Sequence, residues 1–237
     1  MKLSIVIPFF NEEKNVLGVI ERLAEGIDKY RFSMGDIELV CVDNGSLDGT
    51  RKNIESAIEH FPFVKCVIVE RNTGYGNGIA RGLKAAQGEF VGWTHGDIQT
   101  DPIDVLRGYY LLQSQSDPER SFAKGNRYGR PLLDVFLTIG MGVFETVLFQ
   151  TLFWDINAQP NVFERKFLNR LLKRPPLDFS FDLYAYYLAK QAGYSIVRFP
   201  VLFWERKFGS SKWNTGILAR WKFIKRTILF SCKLRFK

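Results

Sequence analysis

The sequence has few cysteines and no motif that would pair them. Its 237 residues include three cysteines, Cys41, Cys66 and Cys232, and none belongs to a Cys-x-x-Cys pair. An odd number of scattered cysteines argues against the disulfide framework of a small secreted protein and against a zinc knuckle. We therefore expect a reducing compartment, most simply the cytosol. Internal repeats and low-complexity linkers are also missing, and 46% hydrophobic residues exclude a disordered chain.

A long uncharged apolar run is missing as well. The most apolar stretch, residues 132–154, contains Asp134 and Glu145, and its longest charge-free run has 10 residues. A helix needs about 20 mostly apolar residues to cross a bilayer. We therefore interpret this stretch as an interfacial or buried helix, and expect any membrane attachment to be peripheral or through a membrane-protein partner.

Acidic residues are absent from the end of the chain. From Arg206 to Lys237 there are ten Lys and Arg residues and no Asp or Glu, whereas the first 205 residues hold 23 basic and 25 acidic residues. Such a basic block usually faces nucleic acid, a phosphorylated ligand or acidic lipid. Residues 213–237 also place apolar side chains at helical spacing, which is typical of a helix on an anionic membrane surface. A helix packed on the domain with a solvated basic face is the open alternative.

Strand and helix patterns alternate through the first half of the chain. Short apolar runs predict strands at residues 5–7, 37–42, 64–69 and 90–94. Between them we expect helices, the first capped by Asn11 and the third starting at Ile79 after a glycine loop. This alternation predicts an α/β fold with a doubly wound, mostly parallel sheet. Ligands bind at the carboxyl ends of such strands, so four loops should converge on one crevice: residues 8–12, 43–48, 71–76 and 95–99.

Two of these loops carry acidic residues suited to a nucleotide and a metal ion. Asp97 and Gln99 follow the fourth predicted strand, and their oxygens can bind a hard cation such as Mg²⁺ or Mn²⁺. Asp43 ends the second strand, where a carboxylate can accept hydrogen bonds from a nucleobase or ribose. Taken alone, Asp97 fits an ordinary turn and helix cap better than a metal site, and the Asp43 segment also fits a capping turn.

Glycine and basic residues mark three further loops. The glycines of residues 71–78 would let the backbone approach a ligand, but the loop lacks the spacing of a dinucleotide-binding fingerprint. Residues 124–128 and 206–212 contain Arg, Lys and Ser, which are phosphate-binding types. Solvated surface charge is the alternative for either basic loop alone.

Together these segments resemble the family 2 glycosyltransferases of the GT-A fold, and among them the polyprenyl-phosphate hexose synthases of the dolichyl-phosphate mannose synthase type. The resemblance extends from about residue 3 to residue 213. Its matching stretches are residues 4–12, 42–50, 72–76, 96–102, 125–127 and 206–212. It implies a GT-A domain over residues 1–212, with helices on both faces of the sheet, followed by a basic amphipathic helix over residues 213–237.

The resemblance also implies a role for each matching residue. The catalytic residues would be Asp97, Gln99 and Arg206, with Asp97 and Gln99 holding Mg²⁺ or Mn²⁺ on the donor diphosphate. Arg127, Ser211 and Lys212 would bind phosphates, and Arg127 would meet the acceptor. The donor nucleotide would be bound by Pro8, Phe10, Glu12, Asp43, His95, Gly96 and Asp97.

The implied reaction is an inverting transfer of a hexose from a nucleotide-diphosphate sugar to a polyprenyl phosphate, undecaprenyl or dolichyl, for cell envelope biosynthesis. We expect the enzyme to lie at the inner face of the membrane on its anionic surface. Two departures from the family pattern concern the donor site, because His95 and Asn44 stand where aspartates are usual. We expect weaker metal binding from them, not loss of activity. Residues 155–160 replace the family's usual Ser-Gly-Phe segment near the acceptor.

Three other interpretations stay open. A saccharide acceptor would need a general base, for which Asp155 and Asp182 are the candidates. A non-catalytic nucleotide-sugar-binding relative is suggested by His95 and Asn44. The basic tail, in isolation, is compatible with nucleic-acid binding, but the sequence has no recognition motif and we expect no nucleic-acid partner.

Overall fold

The structure, a computed structural model, describes residues 1–204 and 217–236. Seven strands alternate with helices. The strands are β1 Leu3–Phe9, β2 Ile37–Asp43, β3 Val64–Ile68, β4 Phe90–Trp93, β5 Ser121–Tyr128, β6 Asn161–Glu164 and β7 Ser195–Leu202. The helices are α1 Val16–Lys29, α2 Thr50–His60, α3 Tyr75–Ala85, α4 Asp104–Gln113, α5 Leu132–Phe149, α6 Leu168–Leu171, α7 Ser180–Gln191 and α8 Ile217–Arg235.

All seven strands form one sheet in the order β3-β2-β1-β4-β6-β5-β7. β1 pairs in parallel with β2 and β4, and β2 pairs in parallel with β3. β6 runs antiparallel to both of its neighbours, and β7 is parallel to β5. The predicted α/β fold with a mostly parallel sheet is therefore confirmed. The strand order reverses between β1 and β4, which places a binding crevice at their carboxyl ends.

Side chains of β1 alternate between two hydrophobic cores, one on each face of the sheet. Ile5 and Ile7 pack into a core with α1, α2 and α4, whereas Val6 packs into the opposite core with α3 and α7. This alternation follows from the two-residue period of a strand. Because both faces are covered by helices, β1 and β2 are almost completely buried, as the apolar runs in their sequences predict.

Two predicted helix starts are wrong, and packing explains both. Asn11 does not cap α1: it has a left-handed backbone (φ 56°), and its Oδ1 accepts a hydrogen bond from the backbone of Leu47. α3 starts four residues before the predicted Ile79. A side chain at Gly76 would collide with the carbonyl oxygen of Pro176 at 2.4 Å. The glycines therefore allow close approach to the protein's own backbone instead of to a ligand.

α5 leaves its apolar side chains on the surface. Leu132, Phe136 and Val147 are 87%, 70% and 73% exposed. Among the described residues, α5 is the helix that is long and apolar enough to cross a membrane, with a mean hydropathy of 1.9 and 17% of it buried. Asp134 and Glu145 interrupt the apolar sequence without interrupting the helix, and the expected interfacial position of this helix stays a prediction.

α8 packs beside α5 through polar contacts. Ser231 of α8 donates a 2.6 Å hydrogen bond to Glu145, which is completely buried, and Arg220 lies 3.3 Å from Asp134. Burial in this apolar setting raises the pKa of Glu145 to about 7. Trp221 on the outer side of α8 is 64% exposed. The helix is thus attached through polar contacts to α5 and through Phe230 and Leu234, which pack against the cores, while Trp221 and Leu229 are exposed.

Candidate active site

The loops after β1, β2 and β4 open into one cavity of about 780 Å³. Residues from each of the four loops that the sequence predicts to converge line it, so the predicted convergence is confirmed. The lining residues from these loops are Pro8, Phe9, Phe10, Asn11, Glu12, Asn44, Asn72, Gly74, Tyr75, His95, Gly96, Asp97 and Gln99. The role of each in binding a nucleotide stays a prediction.

Asp97 and Gln99 lie together at the cavity wall. Asp97 Oδ1 accepts a 3.2 Å hydrogen bond from the backbone of Gln99, with Ile98 between them in a left-handed conformation (φ 57°). The carbonyl oxygen of Gln99 accepts a 2.7 Å hydrogen bond from the backbone of Trp204, just after β7. The loop is therefore tied to a second strand end, which fixes the position of its carboxylate.

These residues fit a metal ion that is shared with a substrate. No group of three or more His, Cys, Asp or Glu side chains suited to a metal occurs within residues 1–204 and 217–236. Mg²⁺ is commonly bound by one or two carboxylates together with substrate phosphates and water. One carboxylate and one carboxamide match that mode better than a metal site made entirely of protein ligands.

Asp43, the last residue of β2, and Asn44, the next residue, make different contacts. Asp43 is buried, and its Oδ1 accepts a hydrogen bond from Ser46 at 2.9 Å, which holds the turn. Asn44, the next residue, lines the cavity, and its side chain donates to the carbonyl oxygen of Gly74. The structure therefore places Asn44, and not Asp43, among the cavity-lining residues, and the contact of Asp43 with a base stays a prediction.

An aromatic wall, which the sequence reasoning missed, continues from His95. The His95 ring stacks on Tyr75 with centroids 5.8 Å apart, and Tyr75 stacks on Phe179 at 4.5 Å. Phe179 in turn lies 6.0 Å from Phe223 of α8. These rings come from four separate segments, so no local pattern marked them. The wall joins the Asp97 loop to the helix pair α5 and α8.

Asp182 lies at the buried side of the cavity. Its Oδ1 accepts hydrogen bonds from Trp93 Nε1 at 3.0 Å and from Asn161 Nδ2 at 3.1 Å. Burial raises the pKa of Asp182. Lys124 donates to the other side of Asn161 at 3.0 Å, and burial lowers the pKa of Lys124 to about 7. This carboxylate is held rigidly, with donors already in place.

Arg127 lines the cavity, and its guanidinium also contacts a carboxylate of the protein. Its Nε lies 3.1 Å from Asp155 Oδ1, and its backbone N–H donates to Asp155 Oδ2 at 2.8 Å. The buried carboxylate of Asp155 is therefore engaged by an arginine. Of the two candidate general bases, it is Asp182 that lines the cavity.

The far end of the cavity lies between α5 and α8. Leu137 and Met141 of α5 and Phe223 and Ile224 of α8 give it an apolar surface, beside the polar side chains of Asp134, Thr138, Arg220 and Thr227. The cavity thus has a polar end at the strand loops and a second end at the helix pair that offers apolar side chains, which we call the apolar end. Arg206, Ser211 and Lys212, predicted to act on phosphates, lie outside the described residues.

An α/β sheet with this strand order, with a carboxylate-bearing loop after β4 that opens into the cavity, is the architecture of the GT-A fold, which solved structures share. The family model for glycosyl transferase family 2 matches residues 4–163. The chain therefore belongs to glycosyl transferase family 2.

Relatives in that family include enzymes named for lipid-phosphate acceptors. A dodecaprenyl-phosphate galacturonate synthase of Rhizobium johnstonii is 33% identical over 106 residues, 44% of this chain and 30% of the relative. An undecaprenyl-phosphate 4-deoxy-4-formamido-L-arabinose transferase of Proteus mirabilis is 32% identical over 107 residues, 45% of this chain and 32% of the relative. The matched segment thus spans about a third of each relative.

Solved structures support the fold over nearly the whole chain. Glucosyl-3-phosphoglycerate synthase of Mycobacterium tuberculosis, in complex with Mn²⁺, UDP and glucosyl-3-phosphoglycerate, has a TM-score of 0.68 at 17% identity, covering 98% of this chain and 80% of that one. A mannosyltransferase of Pyrobaculum calidifontis with GDP-Man and Mn²⁺ has a TM-score of 0.67 at 19% identity, covering 98% and 64%. The predicted GT-A fold is therefore confirmed.

Proposed function

We propose that the protein is an inverting hexosyltransferase that moves a hexose from a nucleotide-diphosphate sugar to a polyprenyl phosphate. Its family supports glycosyl transfer. The names of the relatives support the acceptor, since both describe polyprenyl-phosphate sugar transfer. The observation that carries the proposal is the cavity, whose polar end suits a nucleotide sugar and whose apolar end suits the chain of a lipid.

The acceptor phosphate would act as the nucleophile. One of its oxygens forms the new bond to the anomeric carbon while the bond from that carbon to the diphosphate breaks, and a single displacement inverts the configuration. A phosphate monoester, with a second pKa of about 6, is already an anion near neutral pH. The reaction therefore needs positioning of the phosphate more than a general base. Arg127, at the cavity wall, is suited to that positioning.

Asp97 and Gln99 would hold the metal ion, Mg²⁺ or Mn²⁺. When bound, the ion neutralises charge that develops on the departing nucleoside diphosphate. Since His95 supplies no carboxylate, we expect weaker metal binding than a site with two aspartates would give. Arg206 and Lys212 are predicted to add two positive charges near the diphosphate.

The protein would bind the inner face of the cytoplasmic membrane through α5 and α8. Leu132, Phe136, Ile139, Val143 and Val147 recur every three or four residues on α5, and each is at least 39% exposed. The neighbouring helix α8 carries six Lys and Arg residues and contacts α5 through Ser231 and Arg220. An apolar stripe next to a basic helix favours an anionic bilayer surface. Because α5 also lines the cavity through Leu137, we propose that it lies on the membrane rather than across it.

A lipid-product assay tests the proposal. The protein is incubated with undecaprenyl phosphate, Mg²⁺ or Mn²⁺ and a panel of nucleotide sugars, and the lipid fraction is analysed for a glycosylated product. We expect one donor to give a metal-dependent lipid-linked hexose. Transfer to a saccharide without any lipid product would reject the acceptor, and nucleotide-sugar binding without turnover would favour the non-catalytic alternative.

The second candidate function is transfer to a saccharide hydroxyl with Asp182 as the general base. It is favoured by the position of Asp182 at the cavity wall and by the burial that raises its pKa. Asp182→Asn separates the two candidates. A saccharide acceptor predicts a loss of turnover of about 100-fold or more, whereas a phosphate acceptor predicts that most of the turnover survives in correctly folded protein.

A further inference from the structure

A buried cluster of arginines surrounds one carboxylate where the cavity reaches α5. Arg127 and Arg130 both line the cavity. Asp155 lies between them, with its Oδ1 3.1 Å from Arg127 Nε and 3.8 Å from Arg130 Nη2. The side chains of Arg130 and Asp155 are 7% and 1% exposed. A third guanidinium, Arg198, donates to the carbonyl oxygen of Trp154 next to Asp155.

This arginine cluster is short of negative charge. Arg127 and Arg130 share the carboxylate of Asp155, the charge of Asp134 also acts on Arg130, and Arg198 lies next to them. A buried charge without a full counter-charge is costly. Arg130, which lines the cavity, has no hydrogen-bond partner at its Nε among the described residues. Burial lowers the pKa of Arg130 and of Arg198, and the neighbouring charge of Arg127 adds to the effect. An anion entering the cavity would supply the missing charge and acceptors.

Arg130 is held in place from two sides. Its Nη1 donates to Thr138 Oγ1 of α5 at 2.9 Å, while its Nη2 approaches Asp155. Asp155 itself has a left-handed backbone (φ 39°). A guanidinium fixed in this way loses little conformational freedom when it binds a phosphate.

We infer that Arg130 is a second phosphate-binding residue beside Arg127, and that Asp155 is a positioning residue that holds the two guanidiniums toward the cavity. The inference rests on the proposed function, and the anion is the phosphate monoester of the lipid acceptor. A phosphate monoester has three acceptor oxygens and a charge of about −1.5 to −2. Paired guanidiniums match such a group in charge and geometry.

The position of the cluster favours the acceptor over the donor diphosphate. Arg130 lies two residues before α5, and Thr138 of α5 both binds it and lines the cavity. The next cavity-lining residue of that helix face is Met141, where the apolar end begins. A phosphate on Arg130 therefore has space for an isoprenoid chain beside it, whereas the Asp97 loop belongs to the opposite, polar end.

Steady-state kinetics with three variants tests the inference. KM for undecaprenyl phosphate in detergent micelles and KM for the nucleotide sugar are measured for wild type, Arg130→Gln, Arg130→Lys and the exposed-surface control Arg51→Gln. We expect Arg130→Gln to raise the acceptor KM about 10- to 100-fold, the loss typical of a charged hydrogen bond. Arg130→Lys should recover part of that loss, and the donor KM should stay unchanged. An unchanged acceptor KM, or a raised donor KM, overturns the inference.

Binding measurements keep the test independent of turnover. Farnesyl phosphate, inorganic phosphate and a nucleoside diphosphate are titrated by calorimetry into wild type and Arg130→Gln. We expect farnesyl phosphate to bind wild type and to weaken in the variant, inorganic phosphate to bind more weakly, and the diphosphate to be unaffected. If wild type forms no lipid product but shows this pattern, the proposed function fails and the phosphate site stands. Equal affinities of wild type and variant for farnesyl phosphate would reject the site.

Asp155→Asn tests the positioning role. We expect the acceptor KM to rise while the donor KM is unchanged, because the two guanidiniums lose their shared carboxylate. A purely structural role would lower the melting temperature and leave the acceptor KM of the folded protein unchanged, and that result would overturn the assignment of Asp155.

Discussion

The two ends of the cavity are built in different ways. At the polar end, His95, Asp97 and Gln99 come from five consecutive residues after β4. At the phosphate end, Arg127 and Arg130 meet a carboxylate 25 residues or more further along the chain. Residues that are close together in one loop can be identified from their spacing in the sequence. Residues that are far apart in the sequence come together only through the fold. The comparison also predicts different kinetics, because in the proposed reaction the polar end would serve the leaving group and the arginine cluster would serve the acceptor.

Asp97→Asn should give the largest effect. The amide keeps the size of the side chain but removes the negative charge that would hold the metal ion. We expect turnover to fall about 100- to 1,000-fold, as when one preorganised electrostatic contact to the reacting group is lost. Turnover is measured with saturating donor and lipid phosphate over a Mn²⁺ titration.

The matched control is Asp28→Asn on the exposed surface of α1, which should be as active as wild type. If Asp97→Asn kept full activity, or lost it without any change in metal-assisted nucleotide affinity, the metal role of the polar end would be refuted. A selective rise in acceptor KM would also break the division between the two ends.

The sequence predicted the polar end well for a physical reason. Short apolar runs such as Ile5 to Ile7 identify buried parallel strands, and residues just after those strands must meet at one edge of the sheet. The start of α3 was not predictable in this way. A glycine is needed at position 76 because the backbone of residues 176–178 lies too close for a side chain. Those residues come about 100 positions later, so the local sequence around Gly76 does not predict the contact.

The phosphate end was predicted only in part. Arg127 was identified through its loop, but Asp155 was considered as a base, since the sequence does not show that an arginine 28 residues away occupies its carboxylate. The helical pattern of residues 132–149 likewise gave a helix without its orientation. That α5 buries Glu145 against Ser231 and exposes Phe136 depends on the later helix α8.

The second prediction concerns the exposed apolar stripe of α5. Phe136→Ser combined with Val147→Ser removes two large apolar groups that the proposal inserts into the bilayer surface. Burying such side chains is worth about 1.5–3 kcal/mol each when complete, and we expect partial insertion and a 10- to 100-fold loss of affinity for vesicles, about 1.4–2.7 kcal/mol. Cosedimentation with vesicles containing phosphatidylglycerol measures the affinity.

Ile68→Ser is the control for this prediction, because Ile68 is 41% exposed on β3 at the opposite edge of the sheet. Vesicle binding that survives the α5 changes but disappears in high salt would assign attachment to the basic residues alone. Activity toward farnesyl phosphate in solution should be retained in both proteins, which separates attachment from chemistry.

The third prediction concerns pH and the contact between α5 and α8. Folding raises the pKa of Glu145 from about 4.5 to about 7, so the folded state holds this proton more tightly than the unfolded state. Its stabilising contribution is complete below about pH 4.5 and is lost as the pH rises through about 7. Glu145→Gln keeps a neutral side chain at every pH. We expect it to be about 1–2 kcal/mol more stable than wild type at pH 8, and no more stable at pH 4.5.

Urea unfolding of both proteins at pH 4.5, 6 and 8 measures this difference. Comparing the two proteins is necessary because Lys124, with its pKa lowered to about 7, makes the stability of both rise between about pH 7 and 10.5. A difference between wild type and variant that does not change with pH would show that Glu145 is ionised in the fold.

The smallest expected effect is at His95. A substitution there tests the consequence of having a histidine where the family usually has an aspartate. His95→Asp restores a carboxylate two residues before Asp97, and an added negative ligand should strengthen metal binding. We expect the Mn²⁺ concentration for half-maximal activity to fall about tenfold, which corresponds to about 1.4 kcal/mol. The gain is limited because the new charge lies near Asp182 and the stacking of His95 on Tyr75 is lost.

His60→Asp is the control, because it adds the same charge at the exposed end of α2 and should leave the metal titration unchanged. If His95→Asp weakened metal binding, the imidazole would itself be a ligand, and the polar end would be adapted to a softer metal instead of being a weaker form of an acidic site.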